Sequence, residues 1–158
     1  MHLQEINLSG NSLLQIVQAP TLSSITSIST LRSLNMSNME IKALPDQFLD
    51  GLTNLTKLDL SSNKFDNVPP QIHYGNGKNL QELILDDNPM EVLKSHSFNE
   101  MRNLKRLSIR FMPNLNLVEH AAFATLENLK TLKLSNNPRL HYINSDGFKD
   151  FQDPLILR

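Results

Sequence analysis

The chain contains no cysteine and no tryptophan, and only 5 glycines in 158 residues. Without cysteine it can build neither a disulfide scaffold nor a thiolate metal site or nucleophile. That absence leaves the compartment open, because secreted domains can confine their cysteines to end caps. Neither sign of charge is in excess: 15 Lys and Arg stand against 16 Asp and Glu, a formal net charge of -1. So balanced a chain gains nothing general from counterion release, and nucleic acid is not expected as a partner. No run of about 18 uncharged apolar residues occurs, so this segment is not expected to insert into a membrane. Met1-His2-Leu3-Gln4-Glu5-Ile6 lacks the basic and apolar segments of a signal peptide. The length suits one domain, and 39% apolar with 20% charged residues suits a chain that buries a core.

What is abundant is leucine, at 28 residues, and asparagine, at 18, and together they fall into a repeat. The phrase Leu-x-x-Leu-x-Leu-x-x-Asn runs through Leu55, Leu58, Leu60 and Asn63, then Leu80, Leu83, Leu85 and Asn88, then Leu129, Leu132, Leu134 and Asn137. Leu3, Ile6, Leu8 and Asn11 form a variant. Leu31, Leu34, Met36 and Met39, like Leu104, Leu107, Ile109 and Met112, keep the apolar positions but place Met where Asn is due. The copies begin at residues 3, 31, 55, 80, 104 and 129, with spacings of 28, 24, 25, 24 and 25. Beyond the phrase come Ile41, Leu44, Pro45 and Phe48 in the second copy, Met90, Leu93 and Phe98 in the fourth, and Phe123 and Phe148 in the fifth and sixth. The third departs, with Ile72 for Phe and a polar turn Tyr74-Gly75-Asn76-Gly77-Lys78.

With these residues the chain resembles the leucine-rich-repeat family over practically its whole length. The type is the 24-residue animal one, as in Toll-like and chaoptin-like receptor ectodomains; the plant Gly-x-Ile-Pro signature is absent. The physics supports the same fold. Alternating apolar residues at phrase positions 4 and 6 make a strand with one buried face, and the return to the next phrase lets each strand pair in parallel with the last. The expected architecture is an α/β solenoid: a curved right-handed stack with a concave parallel β-sheet and an irregular or short-helical convex side, one domain over 1–158. Asn at position 9 can satisfy backbone groups of the turn. Met39 and Met112 cannot do so, and their turns are expected to need water or other partners.

Neither end carries a polar cap, so the chain is expected to be a fragment of a longer array, with 152–158 an incomplete repeat and any anchor in flanking sequence. The alternative is a small complete protein capped by its long first repeat, Ser- and Thr-rich from Thr21 to Thr30.

Catalytic and metal signatures are lacking. The histidines, His2, His73, His96, His120 and His141, include no His-x-x-x-His pair, and no cofactor is expected. His96 and His120 share repeat position 17 and could lie side by side. Gly75-Asn76-Gly77-Lys78-Asn79 lacks the first glycine and the Ser or Thr of a phosphate loop. No Gly-x-Ser-x-Gly elbow occurs, and no serine has a histidine at a defined spacing. The chain is not expected to be an enzyme.

Function is expected on the concave face, where phrase positions 2, 3, 5, 7 and 8 project. The last three repeats concentrate charge there. One reading is a protein-binding patch with Ile84 and Phe111 as apolar anchors, Arg106 and Arg110 as carboxylate contacts near Asp86, and Lys105, Lys130 and Lys133 steering an acidic partner. The other is that Lys57, Glu82 and Arg106, and Asp86 and Arg110, neutralise one another as lateral pairs.

Three Asn-x-Ser/Thr sequons, at Asn7, Asn35 and Asn54, are candidate N-glycosylation sites, although chance accounts for about that number in so Asn-rich a chain. The resemblance implies a non-catalytic, protein-binding part of an extracellular recognition or adhesion receptor. A cytosolic scaffold or adaptor and a regulatory inhibitor subunit are the alternatives.

Overall fold

The computed structural model describes residues 2–12, 28–148 and 156–157; the Ser/Thr-rich stretch before residue 28 and most of the 152–158 tail lie outside them. Six three-residue strands fall on the phrase: β1 (Glu5–Asn7), β2 (Ser33–Asn35), β3 (Lys57–Asp59), β4 (Glu82–Ile84), β6 (Arg106–Ser108) and β8 (Thr131–Lys133). They pair in parallel in that order, and β10 (Ile156–Leu157) adds a seventh strand beside β8. The register aligns like positions: Leu34, Leu58, Leu83, Leu107 and Leu132 stand side by side, as do Asn35, Asp59, Ile84, Ser108 and Lys133. This is the curved leucine-rich-repeat stack, with the strands on one side and irregular turns on the other.

The columns explain why so short a strand persists. Leu31, Leu34, Met36 and their counterparts through Leu132 are buried, each fully buried side chain contributing about 1.5–3 kcal/mol. A three-residue strand alone buries almost nothing, whereas stacked it shares a continuous core with two neighbours. Deeper in the stack Phe98 and Phe123 lie 5.9 Å apart and Phe123 and Phe148 5.7 Å apart. Ile72 is buried in the corresponding layer of the third repeat.

The far side is more regular than expected. Besides 3-10 turns at Pro70–His73, Gly75–Asn79 and Ser145–Phe148, a second parallel sheet joins β5 (Val92–Leu93), β7 (Leu117–Val118) and β9 (Tyr142–Ile143). Its ladder continues through the next residue, Glu119 N donating to Leu93 O and Asn144 N to Val118 O, both at 2.9–3.0 Å. In the second and third repeats that next residue is Pro45 and Pro69, which have no N–H to donate. Pro69 thus has no N–H to give Leu44 O, and among the described residues the second sheet runs from the fourth repeat to the sixth. The polar turn of the third repeat folds back tightly: a Cβ on Gly77 would lie 1.9 Å from the Ile72 carbonyl oxygen, so only glycine fits.

The asparagine turns close as expected, and the methionine turns find other partners. Asn63 Nδ2 donates to Met36 O, Leu60 O and Ser61 O at 2.8–3.1 Å, and its Oδ1 accepts from Met39 N and Ile41 N at 3.1 and 3.0 Å. Asn137 likewise takes Ile109 O and Met112 N, at 2.8 and 2.9 Å. The asparagine of the following repeat serves the turn whose own asparagine is missing. Met39 and Met112 are themselves buried, and Met112 Sδ accepts from Asn88 N at 3.3 Å.

Candidate protein-binding face

The outer face of the large sheet changes character at the fourth repeat. In the first three, the position-5 side chain caps its own turn: Asn7 accepts from Ser9 N, Asn35 from Ser37 N and Asp59 from Ser61 N, at 2.9–3.0 Å. Ile84 breaks this column and leaves methyl groups on a polar surface. Two residues along, Asp86 stands where the earlier repeats have serine, and it organises its neighbours. Its Oδ1 accepts from Ser108 Oγ at 2.7 Å and from Arg110 N at 2.8 Å, and its Oδ2 accepts from Arg110 Nη2 and Nε at 2.8 and 3.0 Å. Asp86 is buried, so this charge-assisted set fixes the arginine rather than presenting a free carboxylate.

Arg106 is similarly engaged, its Nη2 2.8 Å from Glu82 Oε2, and Lys57 Nζ approaches the other oxygen at 3.5 Å. Such an exposed pair contributes at most about 1 kcal/mol. The lateral neutralisation read from the sequence is present, and it accounts for Asp86, Arg106 and Arg110. Lys105, Lys130 and Lys133 make no ion pair among the described residues and remain uncompensated. Between the strands lies a depression of about 60 Å³ bordered by Ile84, Arg106, Ser108, Arg110, Thr131 and Lys133. It is far below the roughly 300–1,000 Å³ of a small-molecule site, and suits the tip of one side chain.

Phe111 has an unusual backbone. Position 8 takes a left-handed conformation in every repeat: Gly10, Asn38, Ser62, Asp87, Phe111 and Asn136 have φ of 77, 54, 52, 55, 58 and 59°. Gly, Asn and Asp tolerate that region; a bulky aromatic there is a genuine outlier, at roughly 1–2 kcal/mol. Nor is Phe111 compensated by burial, being 49% exposed, with the Arg110 guanidinium carbon 5.3 Å from its ring centroid.

The histidine and serine expectations change. The phrase strands β4 and β6 are offset by 24 residues but β5 and β7 by 25, so the fifth repeat has one extra residue between its two sheets. His120 therefore stands opposite Ser95 rather than His96, and Ser95 Oγ lies 3.2 Å from His120 Nδ1. Glu119 Oε2 accepts from Ser95 N at 2.8 Å and from Ser95 Oγ at 3.1 Å, and the amide bond is the larger cause of its lowered pKa. In a nucleophilic triad the carboxylate orients the histidine; here it holds the serine, and the cluster clasps the fourth repeat to the fifth. His73 donates to Ser97 O at 2.8 Å, and burial lowers its pKa. Among the described residues no group of three or more His, Asp or Glu could hold a metal ion, and no helix is long and apolar enough to cross a membrane.

A repeat stack with an open strand face and a cluster of anchored side chains on it is the architecture of a binding solenoid. The profile of the BspA-type leucine-rich-repeat region, in six copies, matches residues 54–153, and leucine-rich-repeat profiles also match 29–71 and 2–25. The chain belongs to the leucine-rich-repeat family. It is 33% identical over 137 residues to the leucine-rich repeat-containing G-protein coupled receptor 5 of Rattus norvegicus, covering 86% of this chain and 14% of that protein. It is 30% identical over 115 residues to chaoptin of Drosophila melanogaster, covering 72% and 8%, and 29% identical over 146 residues to Tsukushi of Gallus gallus, covering 91% and 37%. The relatives are animal extracellular proteins, and the chain spans only 8 to 37% of the length of these three. No support for a cytosolic scaffold comes from them. The fold is shared with Toll in the Drosophila Toll–Spatzle complex, at 24% identity and a TM-score of 0.68 over 84% of this chain and 17% of that one. It is shared too with the TLR13–ssRNA13 complex, at 25% identity and 0.66 over 99% and 23%. The ligands of these neighbours are thus of two kinds, protein and RNA.

Proposed function

We propose that this chain is the recognition module of an extracellular or cell-surface receptor or adhesion protein. In this reading it binds another protein through the outer face of β4, β6 and β8. Phe111 and Ile84 are the apolar anchors, Lys130 and Lys133 attract an acidic partner, and Asp86, Arg106 and Arg110 shape the surface between them. The observation that carries the reading is Phe111, a large apolar residue held exposed at a position where every other repeat has Gly, Asn, Asp or Ser. Folding alone disfavours that choice, and strain of this kind collects where a surface is used. The relatives, which are extracellular or cell-surface proteins, support the extracellular placement.

The test is binding to an array of purified secreted and cell-surface ectodomains, with single-stranded RNA included as a further probe. Lys130→Glu with Lys133→Glu is expected to slow association with a protein bound by the wild type about tenfold at low salt and to flatten its salt dependence. Arg32→Glu with Lys42→Glu is expected to do neither. Equal losses from the two pairs, or salt-steep binding to the RNA in place of protein, would overturn the proposal.

A further inference from the structure

The three sequon asparagines have two different jobs. Asn54 immediately precedes Leu55, and its Nδ2 donates to Ser29 O of the preceding repeat at 2.7 Å. The residue before the first phrase leucine does the same in later repeats: Asn79 to Thr53 O at 3.2 Å, Asn103 to Lys78 O at 2.9 Å and Asn128 to Arg102 O at 2.9 Å. In the second repeat Thr30 Oγ1 takes the role, donating to Leu3 O at 2.7 Å. Asn54 is therefore a rung of a second inter-repeat ladder. Thr56, the hydroxyl residue of its sequon, is also engaged, with Arg32 O at 3.2 Å.

Asn7 and Asn35 are different. They are register partners on β1 and β2, on the outer face of the sheet. Each uses only Oδ1, to accept the amide two residues on, and neither Nδ2 has a partner among the described residues. No buried side-chain nitrogen without a partner occurs among the described residues, so the Nδ2 of half-buried Asn35 is open to solvent, as is that of exposed Asn7. The hydroxyls of Ser9 and Ser37, which complete these two sequons, make no hydrogen bond among the described residues.

We propose that Asn7 and Asn35 are the N-glycosylation acceptors of this chain in the secretory pathway, and that Asn54 carries a ladder bond in place of a sugar. The proposal rests on the extracellular reading. In the transfer a bond forms between Nδ2 and C1 of an oligosaccharide, the bond from C1 to its lipid-linked pyrophosphate breaks, and one Nδ2 proton leaves with the pyrophosphate. At Asn7 and Asn35 that proton serves no bond in the folded chain, and the Oδ1 contact survives. At Asn54 a sugar would occupy the nitrogen that ties the second repeat to the third. Neighbouring parallel strands lie about 4.8 Å apart, so sugars on β1 and β2 would cover that end of the face. They would leave Ile84, Phe111 and Lys133 open.

The full chain, expressed behind a secretory leader, is mapped for occupied asparagines by mass spectrometry in its secreted and cell-retained fractions, and its melting is measured. Ser9→Ala and Ser37→Ala are each expected to remove sugar at their own site and leave melting unchanged. Thr56→Val is expected to leave the sugar mass unchanged, and Asn54→Ala to lower the melting temperature by about 3 °C while leaving that mass unchanged. Occupancy at Asn54 equal to that at Asn7 or Asn35, or bare asparagines at both of the latter, would overturn the assignment. The extracellular reading fails separately: native protein that resists N-glycosidase, while the secreted form shows the stated preference, would refute that reading and leave the acceptor preference standing.

Discussion

Asn63→Ala is expected to destabilise the fold by about 3–5 kcal/mol, a large part of a typical domain's 5–15 kcal/mol. The side chain is buried and meets five backbone groups, three carbonyls and two amides. Alanine supplies none of these contacts, and each buried group left unpaired costs about 1–3 kcal/mol. Shared protons and an entering water keep the sum below five full penalties. The loss is concentrated here because Met39, one repeat earlier, has no amide to share the task. Asn11→Ala makes the contrast: among the described residues its Nδ2 meets only Leu8 O and Ser9 O, in an exposed turn, and its loss is expected to stay below about 1 kcal/mol. Denaturant midpoints with unchanged slopes check both, and equal losses would contradict the ladder.

Phe111→Asn is expected to move stability and binding in opposite directions. Asn occupies the same left-handed position in Asn38 and Asn136, so the substitution relieves about 1–2 kcal/mol of strain. Losing the exposed Arg110 contact returns about 0.5–1 kcal/mol, and the net is a gain of about 1 kcal/mol, or a rise in melting temperature of about 2–4 °C. Binding to a protein partner loses its aromatic anchor and is expected to weaken about thirtyfold, the 2 kcal/mol typical of a central contact. Thermal melting and equilibrium binding on the same preparation check the two signs. A fall in stability would mean that Phe111 belongs to the packing after all.

Much of this was legible in the residues. The phrase positions gave six of the strands, their parallel order and their lateral neighbours, because aligning the phrases leaves only one register; β10 beside β8 lay in what reads as an incomplete tail. The charges that pair, Glu82 with Arg106 and Asp86 with Arg110, could be read from that register. What was hidden depends on spacing outside the phrase. The second sheet takes its N–H donors just past Val118 and Ile143, from Glu119 and Asn144, a condition visible only as the absence of proline there. His120 meets Ser95 because one extra residue shifts the fifth repeat. The second asparagine ladder did have a signal, the recurrent Asn-Leu pair at Asn54, Asn79, Asn103 and Asn128, but the phrase starts one residue later. The left-handed backbone at position 8 was visible in Gly10, Asn38, Asp87 and Asn136, and it marks Phe111 as the exception.

The most direct test of the proposed binding face is contact itself. A photo-crosslinking benzoylphenylalanine is placed at position 111 of the chain, or at exposed Tyr74 on the third-repeat turn, and each protein is applied to intact animal cells and illuminated. The account predicts a discrete protein adduct of higher mass from position 111, competed away by excess wild-type chain, and none from position 74. Adducts of the same kind from both positions, or from position 74 alone, would contradict it.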